Sequence, residues 1–329
     1  NLYYENIKEL NPNQENPLKG QGYKPFKRWE YFWSTRVTED GTLPNRRDIK
    51  NSYNDFNQNF LTNKNSTIQA GEDWTPLGPF NQPGAGVGRI NAIAVHPTNT
   101  NIIYIGAATG GVWKSTNGGN SWAESVTPDV FSLGISDISI SETNPNIVLA
   151  ATGDGNGGLS GNGYGAYSSG LLLSNNGGDS WEEINIDAIA ASVEPQLGVF
   201  IFRSIIDYSD SERFVVASNY GVFETTNGGI NWSRTINTYC RDLEMNPSNP
   251  KILYGAFLSG NNQFTVLRSV NGNWITNKPY TLNGCRRVEL TVNPSFPNLC
   301  YGLAADNFGG GGFLSVFKSE NSGDTWSEV

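Results

Sequence analysis

The sequence predicts an all-β protein, because its composition, one recurring hairpin and its short apolar runs all favour strands joined by tight turns. The 329 residues include 38 Gly, and 37% of them are hydrophobic while only 16% are charged. A chain of this size and composition is able to bury a large core. So much glycine favours many turns over long helices.

One glycine-rich hairpin, which we call the box, recurs five times, and its fourth copy is shortened. In each box we expect the Ser/Thr hydroxyl and the Asn amide to bond to the turn backbone. Glycine should then adopt positive φ, and Trp should start the next strand. The boxes comprise Ser115, Asn117, Gly119 and Trp122; Ser174, Asn176, Gly178 and Trp181; Thr225, Asn227, Gly229 and Trp232; Ser269, Asn271 and Trp274; and Ser319, Asn321, Gly323 and Trp326.

The same order of apolar runs precedes every box. In the first repeat an alternating run covers 90–95, a turn follows at His96-Pro97, and a second run covers 102–105 before the strand that leads into the box. With the strand that begins at each Trp, every repeat has four strands. Four short antiparallel strands about every 40–60 residues predict a β-propeller, in which four-stranded blades pack around a central channel. A β-sandwich is the alternative, but sandwiches rarely repeat one hairpin.

With these boxes, residues 74–329 resemble the Asp-box (BNR) propellers, which include sialidases, xyloglucanases and sortilin-like receptors. The resemblance implies the propeller fold and implies no single function. The acidic residue that names the motif is Asn in every copy here. We expect this Asn to preserve the turn bonds.

Residues 1–70 differ from the repeats and form the first of two predicted domains, followed by the propeller at 71–329. They are polar and Asn-rich, with an aromatic and basic cluster at 23–33, for which we expect short helices that wrap against the propeller. The segment 73–77 looks like the end of another box, yet the fifth repeat supplies its own outer strand. We therefore expect an incomplete ring, with further blades and any sorting domain after Val329.

The opening of the chain also resembles large secreted Bacteroidetes proteins that are exported by the type IX secretion system. That resemblance implies a secreted or cell-surface protein, with outer-membrane export machinery as a partner. No signal peptide is present in the sequence, and no run of 18 apolar residues predicts membrane insertion.

Charge and the scarcity of certain residues exclude several functions. A net charge of −9 disfavours nucleic acid as a partner. The single histidine, His96, precedes a turn proline, so neither a His-based triad nor a His zinc site can form. The three cysteines lack metal-ligand spacing and allow at most one disulfide, and the sequence leaves their state open. They are Cys240, Cys285 and Cys300.

Arginines stand at the start of several predicted innermost strands, and four of them are candidate ligand-binding residues. In a propeller these starts converge near one mouth of the channel, where guanidinium groups are able to hold a carboxylate, as sialidase arginines hold sialic acid. The alternative is that they pair with local acids. The arginines are Arg89, Arg203, Arg241 and Arg286, and the acids include Asp137, Asp207, Asp242 and Glu244.

Two glycine-rich loops carry the candidate catalytic residues Asp154 and Asp306. Xyloglucanase-type propellers use paired aspartates across a cleft, and glycoside hydrolysis needs carboxyl groups roughly 5–9.5 Å apart. The alternatives are structural turns or a calcium-binding loop, since oxygen ligands alternate with glycine.

Five scaffold repeats without a complete catalytic constellation favour a non-catalytic module that binds a glycan or a protein at the cell surface, as in adhesion. No cofactor is expected, apart from calcium in the glycine-rich loop. The alternative is a glycoside hydrolase of sialidase or xyloglucanase type.

Overall fold

The computed structural model describes residues 23–37, 52, 55, 56, 58, 59, 88–125, 134–155, 166–184, 198–260, 262–306 and 312–329. The chain divides into two compact units, Asn1–Ile68 and Gln69–Val329. Three predictions lie mainly outside the described residues: the box remnant at 73–77, the centres of both glycine-rich loops and most of the N-terminal domain.

In the first unit the structure describes a helix, α1 (Tyr23–Ser34). Phe26 stacks on Trp29 with ring centroids 6.0 Å apart, as residues three apart on one helical face do. Trp29 nevertheless keeps 49% of its surface exposed. The wrapping role of this segment stays a prediction. No helix in the described ranges is long and apolar enough to cross a membrane.

In the second unit the described residues form five antiparallel sheets, which we call blades 1 to 5. Blade 1 contains β1 (Ile90–Val95), β2 (Ile103–Ala107), β3 (Val112–Ser115) and β4 (Ala123–Glu124). Blade 2 contains β5 (Ile135–Ile140), β6 (Val148–Thr152), β7 (Leu171–Ser174) and β8 (Glu182–Ile184). Blade 3 contains β9 (Ile201–Asp207), β10 (Asp210–Ser218), β11 (Gly221–Thr225) and β12 (Ser233–Ile236).

The last two blades differ from each other in strand number. Blade 4 contains β13 (Cys240–Asn246), β14 (Asn249–Gly260), β15 (Gln263–Val270), β16 (Asn273–Trp274) and β17 (Tyr280–Asn283). Blade 5 contains β18 (Cys285–Val292), β19 (Cys300–Asp306), β20 (Phe313–Ser319) and β21 (Ser327–Glu328). In every blade the strands pair in chain order, except that β17 also pairs with β15. The predicted four-stranded repeat is thus confirmed, and blade 4 adds a strand to it.

Successive blades pack on one another through both faces of their sheets. The innermost strands β1, β5, β9, β13 and β18 contact each other in that order. A hydrophobic core fills each of the four seams between them. In the first seam, for example, Tyr104 of blade 1 packs with Ile138 and Trp181 of blade 2. This radial stacking is a β-propeller and excludes the β-sandwich.

The box turns form as predicted in four of the five copies. In the second copy the Gly178 amide donates to Ser174 Oγ at 2.8 Å, and the Ser180 amide donates to Asn176 Oδ1 at 2.9 Å. Gly178 has φ of +81°, where a side chain is strained. The same pairs of bonds occur in the first, third and fifth boxes.

The fourth box corrects the prediction for Ser269 and Asn271. Asn271 and Gly272 have φ of 52° and 78°, the two positive values of a tight two-residue hairpin turn. Ser269 Oγ is buried without a hydrogen-bond partner in the described part of the chain. The copy is too short to hold the glycine amide whose hydrogen bond the Ser hydroxyl accepts in the other boxes.

Candidate functional site

Each innermost strand begins with a β-bulge, and this irregularity places the charged residues around the channel. The extra residue of a bulge turns the next side chain relative to the regular alternation of the strand. The residues that follow the bulge in blades 1 to 5 are Ala92, Asp137, Arg203, Asp242 and Arg287. From blade 2 onwards, acid and base therefore alternate from one blade to the next.

Arg203 is the centre of this ring and pairs with three carboxylates from two strands, β5 and β13. Its Nε lies 2.9 Å from Asp242 Oδ1, its Nη2 lies 2.6 Å from Glu244 Oε1, and its Nη1 lies 3.5 Å from Asp137 Oδ1. Asp137 belongs to blade 2, and the other two acids belong to blade 4. The arginine thus joins blade 3 to both of its neighbours.

The acids of the ring also hold backbone amides of the following blade. Ser204 N donates to Asp137 Oδ2 at 2.7 Å, and Leu290 N donates to Asp242 Oδ2 at 2.6 Å. A buried backbone amide that points away from its own sheet has no partner strand, so it needs an acceptor such as a carboxylate oxygen. Asp137 and Asp242 therefore each fasten one innermost strand to the next.

Burial dominates the electrostatics of these groups. It raises the pKa of Asp242 to about 7, although the neighbouring Arg203 charge lowers it. Burial likewise raises the pKa of Asp137 and of Glu244 against the same arginine. For Arg203, burial alone would lower the pKa, but the three carboxylates together raise it.

A carboxyl group with a pKa near 7 is the kind that serves as a general acid, so the space beside Asp242 decides what it can do. The cavity there has a volume of about 60 Å³ and is bounded by Asp137, Arg203, Arg241 and Arg287 among others. This volume is well below the roughly 300–1,000 Å³ of ordinary ligand pockets. Charged side chains that pair with one another form much of its wall, which fits a structural role for the ring of charges.

Arg241 is the extra residue of the blade 4 bulge and points towards blades 2 and 3. Its Nη1 donates to Gly155 O at 2.9 Å, and its guanidinium carbon lies 4.6 Å from the centre of the Phe202 ring. Burial, followed by the charge of Arg287, lowers the pKa of Arg241. The fourth predicted arginine, Arg286, is the exposed bulge residue of blade 5.

Arg89 and Asp154 were predicted as separate ligand-binding and catalytic residues, and the structure brings them together. Arg89 Nη2 forms an ion pair with Asp154 Oδ2, and its Nε donates to Asn91 Oδ1 at 2.9 Å. Asn91 in turn donates to Asp154 Oδ1 at 3.1 Å and to Ile135 O at 3.0 Å. Asp154 is buried and, with Asn91, helps to hold blade 1 to blade 2.

Asp306 lies at the end of β19 and closes the base of its own loop. Gly312 N donates to Asp306 Oδ1 at 2.8 Å, and Asp306 N donates to Gly312 O at 2.9 Å. By the strand register Asp306 corresponds to Thr152 of blade 2, two residues before Asp154. Blades 3 and 4 lie between the two aspartates.

The expected partner of Asp207 needs correction, and the state of the three cysteines, which the sequence left open, is now defined. Asp207 pairs with Arg213 at 2.9 Å, and not with an arginine at the start of an innermost strand. Sequence reasoning missed Arg213, which also reaches Glu224 at 2.7 Å, because it lies in the second strand of its blade.

All three cysteines are buried and free, and burial raises the pKa of each thiol.

A concavity lies on the outer part of the seam between blades 1 and 2. It has a volume of about 370 Å³. Its wall includes Trp122, Glu124 and the ion pair of Lys114 with Asp179, whose Nζ and Oδ1 atoms lie 2.9 Å apart. Sequence reasoning assigned Trp122 only to the box, and no local pattern signals a groove formed by two blades. In the described ranges, no three His, Cys, Asp or Glu residues cluster as metal ligands.

Comparisons with known proteins identify the fold and no family. No protein-family model matches the chain, and no curated protein sequence matches it. An ancestral GH74 enzyme is 25% identical, with a TM-score of 0.54 over 71% of this chain and 31% of its own. The GH74 enzyme of Niastella koreensis is 20% identical, with a TM-score of 0.55 over 73% of this chain and 38% of its own.

The GH74 xyloglucanase of Xanthomonas campestris is 14% identical, with a TM-score of 0.53 over 74% of this chain and 38% of its own. The chain therefore spans only 31–38% of the length of these enzymes. They are β-propeller proteins, and the likeness shows that this chain has the same fold.

Proposed function

We propose that the chain is a propeller module that binds a glycan or a protein ligand without hydrolysing it. One observation carries the proposal: the candidate catalytic residue Asp154, itself buried, forms an ion pair with Arg89, the first candidate ligand-binding residue, whose side chain is 49% exposed. Arg203 is likewise engaged by three carboxylates. Groups that satisfy one another inside the fold leave little free charge for a substrate.

The groove between blades 1 and 2 is the place we propose for the ligand. It combines an indole ring, Trp122, with the hydroxyl of Ser121 and the charged groups of Glu124 and Lys114. Sugars bind to proteins by stacking on aromatic rings while polar side chains hydrogen-bond to their hydroxyls. A volume of about 370 Å³ lies within the usual range of ligand pockets, about 300–1,000 Å³.

Membership of the Asp-box propellers and a place among secreted Bacteroidetes proteins belong to the same proposal. Four complete box turns support the first, through the bonds of Ser/Thr and Asn to the turn backbone. The cell-surface location, adhesion and export by the type IX system depend on the resemblance of the N-terminal sequence alone.

Glycoside hydrolysis is the second candidate function, and the 25% identity to an ancestral GH74 enzyme favours it. In this reading Asp154 and Asp306 would supply the acid and the base, which requires Asp154 to leave Arg89. Xyloglucan is the substrate to test, since one of the similar structures is a xyloglucanase.

The two functions are separated by measuring binding and hydrolysis on the same protein. We expect the 329-residue chain to release no reducing ends from xyloglucan or sialosides, and Asp154→Asn to leave this result unchanged. On a glycan array and in protein pull-downs it should retain a ligand, and Trp122→Ala should weaken that binding by about tenfold or more. Trp113→Ala is the matched control, because Trp113 lies on the adjacent strand and outside the groove wall.

Hydrolysis that disappears in Asp154→Asn would reject the proposal and support the glycosidase. Binding that Trp122→Ala leaves unchanged would reject the groove as the ligand site.

A further inference from the structure

Blade 5 exposes the face of its sheet that every preceding blade covers with its successor. On this face Tyr301, Leu303 and Phe313 are 37%, 52% and 71% exposed. The register of the strands makes Tyr301 equivalent to Tyr104 in blade 1 and Tyr254 in blade 4. Those two tyrosines are each only 1% exposed. The exposure of Tyr301 is therefore a departure from the pattern of the repeat.

The tyrosines of blades 1 and 4 are covered by the box glycine of the next blade. Tyr104 Oη donates to Gly177 O at 2.7 Å. A Cβ atom added to Gly178 would lie 2.8 Å from Tyr104 Cε1, and one added to Gly323 would lie 2.7 Å from Tyr254 Cε1. In both seams the ring thus occupies the space that a side chain at the box glycine would need.

A charge pair accompanies the tyrosine in both seams. The residue after the box glycine is Asp179 in blade 2 and Asp324 in blade 5. Asp179 pairs with Lys114, which lies directly across the strands from Tyr104. Asp324 pairs with Lys278 of blade 4 at 2.9 Å. Lys278, and more weakly Arg268, lowers the pKa of Asp324.

Blade 5 has the tyrosine and the basic residue of this arrangement. Lys318 lies directly across the strands from Tyr301, as Lys114 does from Tyr104 and Arg268 from Tyr254. Its present partner is the neighbouring Glu320, 2.7 Å away and 70% exposed, and an ion pair this exposed contributes little.

We propose that the face of blade 5 formed by Tyr301, Leu303, Phe313 and Lys318 docks a further blade of the same repeat. The box of that blade places a glycine on the Tyr301 ring and an acidic residue beside Lys318. The inference concerns the assembly of the ring and is independent of the proposed ligand binding.

A second copy of this chain matches the face less well. Its only uncovered box is that of blade 1, where the position after Gly119 is Asn120, which carries no charge. Both boxes with an acidic residue, those of blades 2 and 5, are already packed on a preceding blade. Charge complementarity therefore favours a further blade.

The test extends the full chain by a copy of blade 2, whose packing on the preceding blade is described above. A second copy of residues 126–184 is appended after Val329, because blade 2 is the blade whose box sits on Tyr104 and Lys114. Hydrogen exchange of the appended amides reports docking, since a single blade is not stable alone. We expect the appended amides to exchange at least about 100-fold more slowly than in the free peptide. With Tyr301→Ala, they should exchange at least about tenfold faster than in the extended chain that keeps Tyr301.

Two controls isolate the contact. In the 329-residue chain without the extra blade, Tyr301→Ala should change the exchange of blade 5 by less than about threefold, because the ring is exposed there. Lys318→Glu should weaken docking, and changing the acidic residue of the appended box to Lys should restore it. Appended amides that exchange like the free peptide, or protection that neither Tyr301→Ala nor Lys318→Glu alters, would overturn the proposal. So would concentration-dependent dimers of the 329-residue chain that Tyr301→Ala dissolves.

Discussion

Replacing Arg203 with Met should lower the free energy of unfolding by about 2–4 kcal/mol. The substitution removes the cation from Asp242, whose side chain is 1% exposed, and from Asp137, whose side chain is 10% exposed. Carboxylates left buried without a partner are strongly destabilising. The expected loss lies below that of a fully buried pair, because the Arg203 side chain is 36% exposed and water screens part of its charge.

Urea unfolding followed by tryptophan fluorescence measures this loss, and Arg287→Met is the matched control. Arg287 occupies the equivalent position in blade 5 but pairs with Glu289, and both side chains are more than 40% exposed. Its removal should cost less than about 1 kcal/mol. Equal losses for the two variants would contradict the role assigned to Arg203.

The second large effect is expected at the box glycine of blade 2. Gly178→Ala should cost about 2–4 kcal/mol, because the residue has φ of +81° and the new methyl group would lie 2.8 Å from the Tyr104 ring. The tyrosine is 1% exposed and bonded to Gly177 O, so it has little freedom to move away.

Gly119→Ala separates backbone strain from the contact between blades. Gly119 occupies the same position in the first box, with φ of +87°, but its nearest neighbour atom would be Trp122 Cζ2 at 3.6 Å. It should therefore show the strain alone, about 1–2 kcal/mol. Thermal and urea unfolding of both variants provide the comparison, and a Gly119→Ala loss as large as that of Gly178→Ala would show that the blades do not meet as described.

The fold was predictable because the box depends on local contacts. Ser174 reaches the Gly178 amide four residues away, so the spacing of Ser, Asn and Gly in the sequence determines the turn. The same reasoning failed in blade 4. There the shortened box forms a two-residue turn at Asn271-Gly272, and no box pattern marks β17, which pairs with β15.

The candidate site was predictable only in its residue types. Arg203 and Arg241 line one cavity with Arg287. The partners were not predictable, because Arg203 meets Asp137 across 66 positions of sequence, and Arg89 meets Asp154 across 65. Such pairs depend on which blades are neighbours and where each bulge falls. Arg213 escaped notice for another reason: it lies in the second strand of blade 3, and its partners Asp207 and Glu224 belong to that same blade.

Arg89, Arg203, Arg241 and Asp154 each contact a neighbouring blade. The groove that we propose for a ligand lies elsewhere, on the outer seam beside Trp122.

A double-mutant cycle between blades 3 and 4 tests this account most directly. The free energy of unfolding is measured for the unchanged chain, Arg203→Met, Asp242→Asn and the double variant. If Arg203 and Asp242 fasten the two blades, the losses should be non-additive, with a coupling of about 1–3 kcal/mol. Additive losses would mean that the two groups do not interact across the seam and would contradict the account.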